Sequence, residues 1–401
     1  MRIAQVTSYF QPEFGYEEYY LSRKLSELGH EVSVVTSDRI FPFKNVKKLL
    51  KEIGSDKTTR YRGVGITELD GFRIYRLPTL VELFSDFNLI SNVGKTLQKI
   101  NPEIVHIHEP IQGGSALAAK YKYLGFKLLV DQHAYATTFE EVRTLKNMIA
   151  HYQFLLLRKS CAKFAFNRAD AITAVTERTK QFMVKVYKIP PDEIEVVPLG
   201  IDTRLFKFDQ DARKRVREEL GVLDDTPIIL TAGRIDRAKK FEQLIEAFSK
   251  LIKDHQAVLV ILGSGDENYE KEIRGLVRKL DLEKDVKFIR FVKKSLLPNY
   301  YSAADIGFWN KASITILEAM CCQLPVVIPE QTTIKTYISN ENGLLFPEDD
   351  IKVLLQQLST LVADKKMRVR MGKNGIKLVK EKYSYDATTR KYLEIYNRIL
   401  D

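Results

Sequence analysis

Cysteine is nearly absent from this chain. Three in 401 residues (Cys161, Cys321 and Cys322) are too few and too unevenly spaced for a disulfide framework or a cysteine zinc site. A reducing, cytoplasmic setting is therefore expected. No apolar run approaches the roughly 20 residues that span a bilayer, and Phe154 to Leu157 is flanked by Arg158, Lys159 and Lys163. Met1 opens directly on a strand-like run, without the pattern of a signal peptide. Short repeats and low-complexity tracts are lacking. Neither the full dinucleotide fingerprint nor the P-loop Gly-Lys-Ser/Thr occurs. The excess of positive charge is modest, +11 from 63 Lys and Arg against 52 Asp and Glu. It suits acidic ligands or an anionic surface, and is too diffuse to imply nucleic acid.

What is present is alternation. At 45% hydrophobic and 29% charged residues, the composition is that of a globular protein with two or three domains. Apolar runs at Ile3–Val6, Val32–Thr36, Ile74–Leu77, Ile104–Ile107, Leu128–Val130, Ile172–Val175 and Ile194–Val197 are separated by segments, several of them with helical period. After a polar stretch, Asp209–Asp225, the pattern restarts at Ile228–Leu230, Val258–Leu262, Val286–Ile289, Ile306–Trp309, Val326–Ile328 and Leu344–Phe346. This predicts two doubly wound α/β domains joined near residues 203–225. The boundaries expected are 1–205, with 385–401 returning to it, and 206–384.

Several loops carry chemistry. Gly15 follows the first strand and is either a turn or a point of close backbone approach. Gly233-Arg234 ends the strand Ile228–Ala232, with Lys239-Lys240 in the next loop, and such cations suit a diphosphate or form a solvated basic turn. Gly263-Ser-Gly265 is another strand-end glycine loop. His106, His108 and His133 lie at or just past strand ends. Within a strand His-x-His sends both rings to one face, which fits packing better than a metal, and no metal site is expected. The unit Ile306–Ile328 reads as strand, loop, helix, strand, and its helix start would favour an anion at Ile314 and Thr315. Thr315-Ile-Leu-Glu318 has capping-box spacing; alternatively Glu318 faces a ligand hydroxyl pair.

Taken together these residues resemble the retaining nucleotide-sugar glycosyltransferases of family 4, which have the GT-B fold of two Rossmann-like domains facing across a cleft. The resemblance rests on Gly15 with Glu18, Leu25 to Thr36, Val105-His-Ile-His108, the His133 loop and Val197-Pro-Leu-Gly-Ile-Asp202. In the second half it rests on Gly233-Arg234 to Lys239, Leu262-Gly-Ser-Gly265, Glu318-Ala-Met320, Leu324-Pro-Val-Val327 and Asn342 to Phe346. It implies that Arg234 and Lys239 contact the donor diphosphate, that Glu318 binds the nucleotide ribose, and that Ile314 and Thr315 meet the phosphate. It further implies that Gly15, Gly233 and Gly263 allow close approach, that His133 lies near the transferred sugar, and that Val292 borders the nucleobase wall. Three departures stand out. Asn310 occupies a position where the family has a glutamate facing the sugar, Lys240 replaces a glycine, and Leu199 stands where asparagine is common.

The activity so implied is a hexosyltransferase of the retaining type. It uses a nucleoside diphosphate sugar such as a UDP-sugar, with no cofactor and no metal, and a hydroxyl acceptor. Two other readings are a catalytically idle sugar-nucleotide-binding protein, suggested by Asn310, and a sugar-nucleotide epimerase. Between Arg143 and Lys188 there are ten basic and two acidic residues, interleaved with Phe154, Phe164 and Phe166. With the basic run Phe43–Lys51, this suggests peripheral contact with an anionic membrane and a lipid-linked acceptor; the other reading is a solvated charged face.

Overall fold

Runs such as Val258-Leu-Val-Ile-Leu262 carry no polar alternation, as expected of parallel strands covered on both faces. The computed structural model of the protein describes residues 1–43, 46–52, 54–83, 87–133, 152, 154–223, 225–339 and 341–401. It divides into two compact units, Met1–Gly200 with Tyr385–Asp401, and Ile201–Ser384. Residues 201–205 thus belong to the second unit, where Ile201 N–H donates to the Tyr383 carbonyl. The expected joint at 203–225 is corrected too. Gln210–Leu220 is a helix of the second unit, capped by the Asp209 side chain on the Asp211 and Ala212 N–H groups and ended by Gly221 at φ 67°. Its charged composition masks a narrow buried stripe, Ala212, Val216 and Arg217.

In the first unit the strands are β1 (Arg2–Val6), β2 (Glu31–Ser37), β3 (Gly65–Leu69), β4 (Phe72–Leu77), β5 (Thr79–Leu83), β6 (Phe87–Ile90), β7 (Ile104–His108), β8 (Lys127–Gln132), β9 (Ala171–Ala174) and β10 (Ile194–Val196). Eight of them form one sheet in the order β10-β9-β8-β7-β1-β2-β4-β3. Its pairings are parallel except for the edge strand β3. β5 and β6 make a separate antiparallel hairpin. The helix Tyr385–Leu400 buries Tyr392, Ile395 and Tyr396 against this unit, in one cluster with Ile3, Leu21, Val34 and Leu129.

In the second unit β11 (Ile228–Ala232), β12 (Val258–Leu262), β13 (Val286–Ile289), β14 (Ile306–Phe308), β15 (Val326–Pro329) and β16 (Gly343–Phe346) form an all-parallel sheet, β13-β12-β11-β14-β15-β16. This is the doubly wound order, with direction reversing between β11 and β14. In the first unit the reversal lies between β1 and β7. Loops at the carboxyl ends of strands flanking such a reversal splay apart, leaving room for a ligand.

The helix Phe241–Leu251 buries Phe241, Leu244, Ile245, Ala247, Phe248 and Leu251 in the second core. Phe248→Ala is expected to destabilise this unit by about 3–5 kcal/mol through lost apolar contact and a residual cavity. Urea unfolding of the variant measures it.

Candidate functional site

In the second unit the loops after β11 and β12 pack backbone against backbone. A Cβ on Gly263 would lie 2.0 Å from the Gly233 carbonyl oxygen, and both glycines have the positive φ that side chains resist (141° and 144°). A Cβ on Gly233 would meet the Lys239 Nζ at 2.6 Å. That ammonium therefore lies directly over the bare strand end.

Lys239 closes a short 3-10 turn, Arg237–Lys239. Burial lowers its pKa, Asp236 partly offsets this, and the charge of Arg234 adds to the lowering. Among the described residues neither Arg234 nor Lys239 has an ion pair or a side-chain hydrogen bond. Their neighbours differ: Arg237 pairs with Glu272 and Lys240 with Asp349 and Glu348. Two adjacent, unneutralised cations beside a glycine strand end form a ready anion site.

The neighbouring loop follows β14 and is tied to the first by the Trp309 indole N–H, which donates to the Ala232 carbonyl at 2.9 Å. The helix Ile314–Cys321 begins here, and its cap is Ser313, whose hydroxyl accepts from the Thr315 N–H. The capping-box reading of Thr315 and Glu318 is thereby corrected. Ser313, two residues before Thr315, caps that one N–H, which leaves Glu318 outside the capping-box position. Instead its carboxyl is 3% exposed and lies 3.6 Å from Lys294 Nζ. Burial raises its pKa, and Lys294 offsets this in part. Val292, half-buried, follows β13 at the same sheet edge.

Asn310 is 4% exposed. Its Nδ2 donates to Gln243 Oε1 at 2.9 Å, while its Oδ1 has no partner. Gln243 Nε2 in turn donates to the Asp349 carboxylate, which also accepts from Lys240. A carboxylate only accepts, so the amides of Gln243 and Asn310 are both oriented, and the free atom is a buried acceptor. Two of the departures in the sequence, Asn310 and Lys240, thus belong to one network. Lys240 keeps φ at 45°, a conformation natural to glycine. If the site takes a sugar nucleotide, as the sequence resemblance implies, Gln243→Leu is expected to weaken its binding about tenfold while leaving binding of the bare nucleotide unchanged, read by calorimetry with both ligands. Gln243 and Asp349 carry no signal of their own in the sequence, being 67 and 39 residues from Asn310.

In the first unit Gly15 adopts φ 63° as it closes the turn Pro12–Phe14, with the Tyr20 ring 3.0 Å from where a Cβ would stand. Glu17 and Glu18 start the next helix. The Glu17 carboxylate accepts from the Gly200 N–H at 3.2 Å, and burial pushes its pKa up to about 8. His133, just past β8, has Nε2 2.9 Å from Asp131 Oδ2. Burial works against its charge, and Asp131 outweighs that, holding its pKa up at about 10. His106 and His108 are buried side by side, ring centroids 4.0 Å apart, and burial keeps both neutral.

Two overlapping groups, Glu18 with His108 and His133, and His106 with His108 and Asp131, bring metal-ligand atom types within 4.8 Å of one another. Both nitrogens of His108 already face hydrogen-bond partners, His133 and Gln5, so the cluster reads as a hydrogen-bonded polar core.

Residues 212–378 match the family described as Glycosyl transferases group 1, and residues 19–205 match Glycosyltransferase Family 4. An uncharacterized glycosyltransferase of Methanocaldococcus jannaschii, MJ1607, is 28% identical over 232 residues, 56% of this chain and 59% of that protein. The N-acetyl-alpha-D-glucosaminyl L-malate synthase of Bacillus anthracis is 22% identical over 388 residues, 95% and 92% of the two chains. The chain spans under two thirds of the length of several curated relatives it matches, 57–60%. Among solved structures, Anabaena Alr3699/HepE in complex with UDP superposes with a TM-score of 0.70 at 16% identity, covering 99% of this chain and 100% of that one.

Proposed function

The chain belongs, half by half, to the glycosyl transferases group 1 and glycosyltransferase family 4, with the GT-B fold; from this premise we propose that it transfers a sugar from a nucleoside diphosphate sugar to a hydroxyl acceptor. The observation that carries the reading is the Lys239 ammonium over the Gly233 strand end at the sheet reversal, with the charge of Arg234 near it and no ion pair on either among the described residues. In such a transfer the bond from the anomeric carbon to the β-phosphate oxygen breaks and a bond to the acceptor oxygen forms. The departing diphosphate gains charge as this happens. Two fixed cations and the start of the Ser313-capped helix oppose that charge without reorganising, each well-placed donor contributing on the order of 3 kcal/mol.

In this reading Glu318, buried and outside the capping-box position, takes the ribose hydroxyls, Ile314 and Thr315 meet the phosphate, and Val292 borders the base. Gly15 and His133 serve the transfer from the first unit. Retention of configuration follows if the acceptor proton passes to the departing phosphate oxygen on the same face; the chemistry then requires neither a cofactor nor a metal. Binding of one nucleoside diphosphate sugar, read as a rise in melting temperature over a panel, with product only when acceptor is added, supports the proposal. Product from donor alone replaces it with epimerisation, and binding without turnover over a broad acceptor panel replaces it with the idle binder that Asn310 suggests.

For the acceptor we propose a lipid-linked hydroxyl, met at an anionic membrane surface. The hairpin β5–β6 exposes Leu80 (65%), Val81, Leu83 and Leu89, and Leu156 is 72% exposed beside Arg158 and Lys159. Phe166, by contrast, is buried in the core, and Arg143, Lys146 and the rest of 134–151 lie outside the described residues. No helix among the described residues is long and apolar enough to cross a membrane. Co-sedimentation with vesicles containing anionic lipid is expected at low salt and should weaken as salt rises. Absence of binding at low salt removes the membrane from the proposal.

A further inference from the structure

The polar core of the first unit has one member that can only accept hydrogen bonds, the Asp131 carboxylate. It is fully buried. Burial works against its charge, and the adjacent His133 more than compensates, keeping it ionised. It receives the Thr173 hydroxyl at 2.9 Å and, from the terminal helix, the Tyr392 hydroxyl at 2.7 Å.

Its presence dictates every proton around it. His133 Nε2 faces both Asp131 Oδ2 at 2.9 Å and His108 Nδ1 at 3.4 Å. Facing an obligate acceptor, Nε2 must carry a hydrogen. His108 Nδ1 must then offer a lone pair, so its own proton is on Nε2. That proton requires an acceptor, Gln5 Oε1 at 2.5 Å, which turns Gln5 Nε2 toward the Tyr396 oxygen at 3.3 Å. Tyr396 thus accepts from Gln5, and its hydroxyl, able to donate or accept, also meets His106 Nδ1 at 2.8 Å. Among Asp131, His133, His108 and Gln5, any single reversal sets two donors or two acceptors face to face.

His133 Nδ1 is the ring nitrogen left over. It has no partner among the described residues, and the side chain retains some exposure. We propose that Asp131 is a positioning residue: through this chain of side chains, closed by Tyr392 and Tyr396 of the terminal helix, it pins the Nε2 proton of His133 and leaves Nδ1 as the nitrogen presented to substrate. The role in transfer rests on the function proposed above; the proton arrangement does not.

Other titratable groups near His133 are Glu17 and Glu18 on the first helix, Glu109 after β7, and His106 and His108 on β7. The carboxylates favour a cationic ring, so Nδ1 acts as a charged donor at neutral pH, matched to an oxygen of the sugar or phosphate.

Nitrogen-15 spectroscopy of the full chain, with histidine labelled and resonances assigned by substitution, tests this directly. Expected in the wild type at pH 7 are a doubly protonated His133 and neutral His106 and His108, the latter with its proton on Nε2. In Asp131→Asn, His133 should titrate at or below its ordinary range, and turnover should fall at least tenfold between pH 6 and 8 with KM for donor little changed. A wild-type His108 carrying its proton on Nδ1, or a neutral His133 at pH 7, overturns the proposal whatever the variant does. An Asp131→Asn protein whose His133 spectrum matches the wild type also overturns it. His133→Ala with normal turnover, alongside the expected spectra, removes instead the role of His133 in the reaction and leaves the proton arrangement standing.

Discussion

Lys239→Ala is expected to lower turnover by about 10²–10³-fold with the melting temperature within a degree or two of the wild type. The two halves of this result have separate causes. Lys239 has no ion pair or side-chain hydrogen bond among the described residues, and its strongest named neighbour of like sign is Arg234. Its removal deletes no ion pair, and the lost attraction of Asp236 is set against relieved burial of a charge and the relieved repulsion of Arg234, so folding should be little affected. In the reaction the same ammonium, over the Gly233 strand end, opposes charge that grows only as the diphosphate departs. Ground-state affinity for donor should therefore fall less than turnover does. Lys240→Ala is the control. Its ammonium is already neutralised by Asp349 and Glu348, so the loss should be small and felt mainly through Gln243 and Asn310. Initial rates at saturating donor, with differential scanning of each variant, measure both. Normal turnover in Lys239→Ala removes that residue from the site.

Glu17→Gln is expected to abolish much of the stability that the first unit loses as pH rises from about 4 to 8. An unfolded glutamate releases its proton near pH 4.3, whereas burial raises the folded value to about 8. The folded state thus holds a proton that the unfolded chain has lost. The contribution of Glu17 to stability is complete below about pH 4 and drains away as pH rises through 8. Over that window the wild type should lose on the order of 3–5 kcal/mol relative to the glutamine variant. His133 and Asp131 face Glu17 with opposite signs, and both remain in the variant, so the difference between proteins isolates this one carboxyl. Urea unfolding at pH 5, 7 and 9 reads it; parallel curves for the two proteins would mean that Glu17 titrates as an ordinary surface acid.

Much of the fold was legible because parallel strands buried on two faces must be continuously apolar. Each of the thirteen runs named from the sequence is a strand of one of the two main sheets. β3 and the hairpin β5–β6 were not read, since they lie at an edge or outside the main sheet, β3 and β5 with much of their surface in solvent and β6 only four residues long. The helix Gln210–Leu220 was hidden for the related reason that it buries only three of its eleven residues. In the site, the glycine–cation loop and the glutamate of the Ser313-capped helix were visible because strand-end glycines and helix starts carry local signals.

The places of the strands along the chain, the loops at their carboxyl ends and the residue types that suit a diphosphate were determined by the sequence alone, because all of these follow from neighbours within a few positions. Which of two adjacent lysines is ion-paired was decided only by tertiary structure: Lys240 pairs with Asp349, 109 residues later, whereas Lys239 has Asp236 nearby and makes no ion pair among the described residues. The same holds for the proton on His133, set by Asp131 in a core that Tyr392 closes from 261 residues away. A side chain's charge state depends on what is packed against it, and no local pattern specifies a partner that distant.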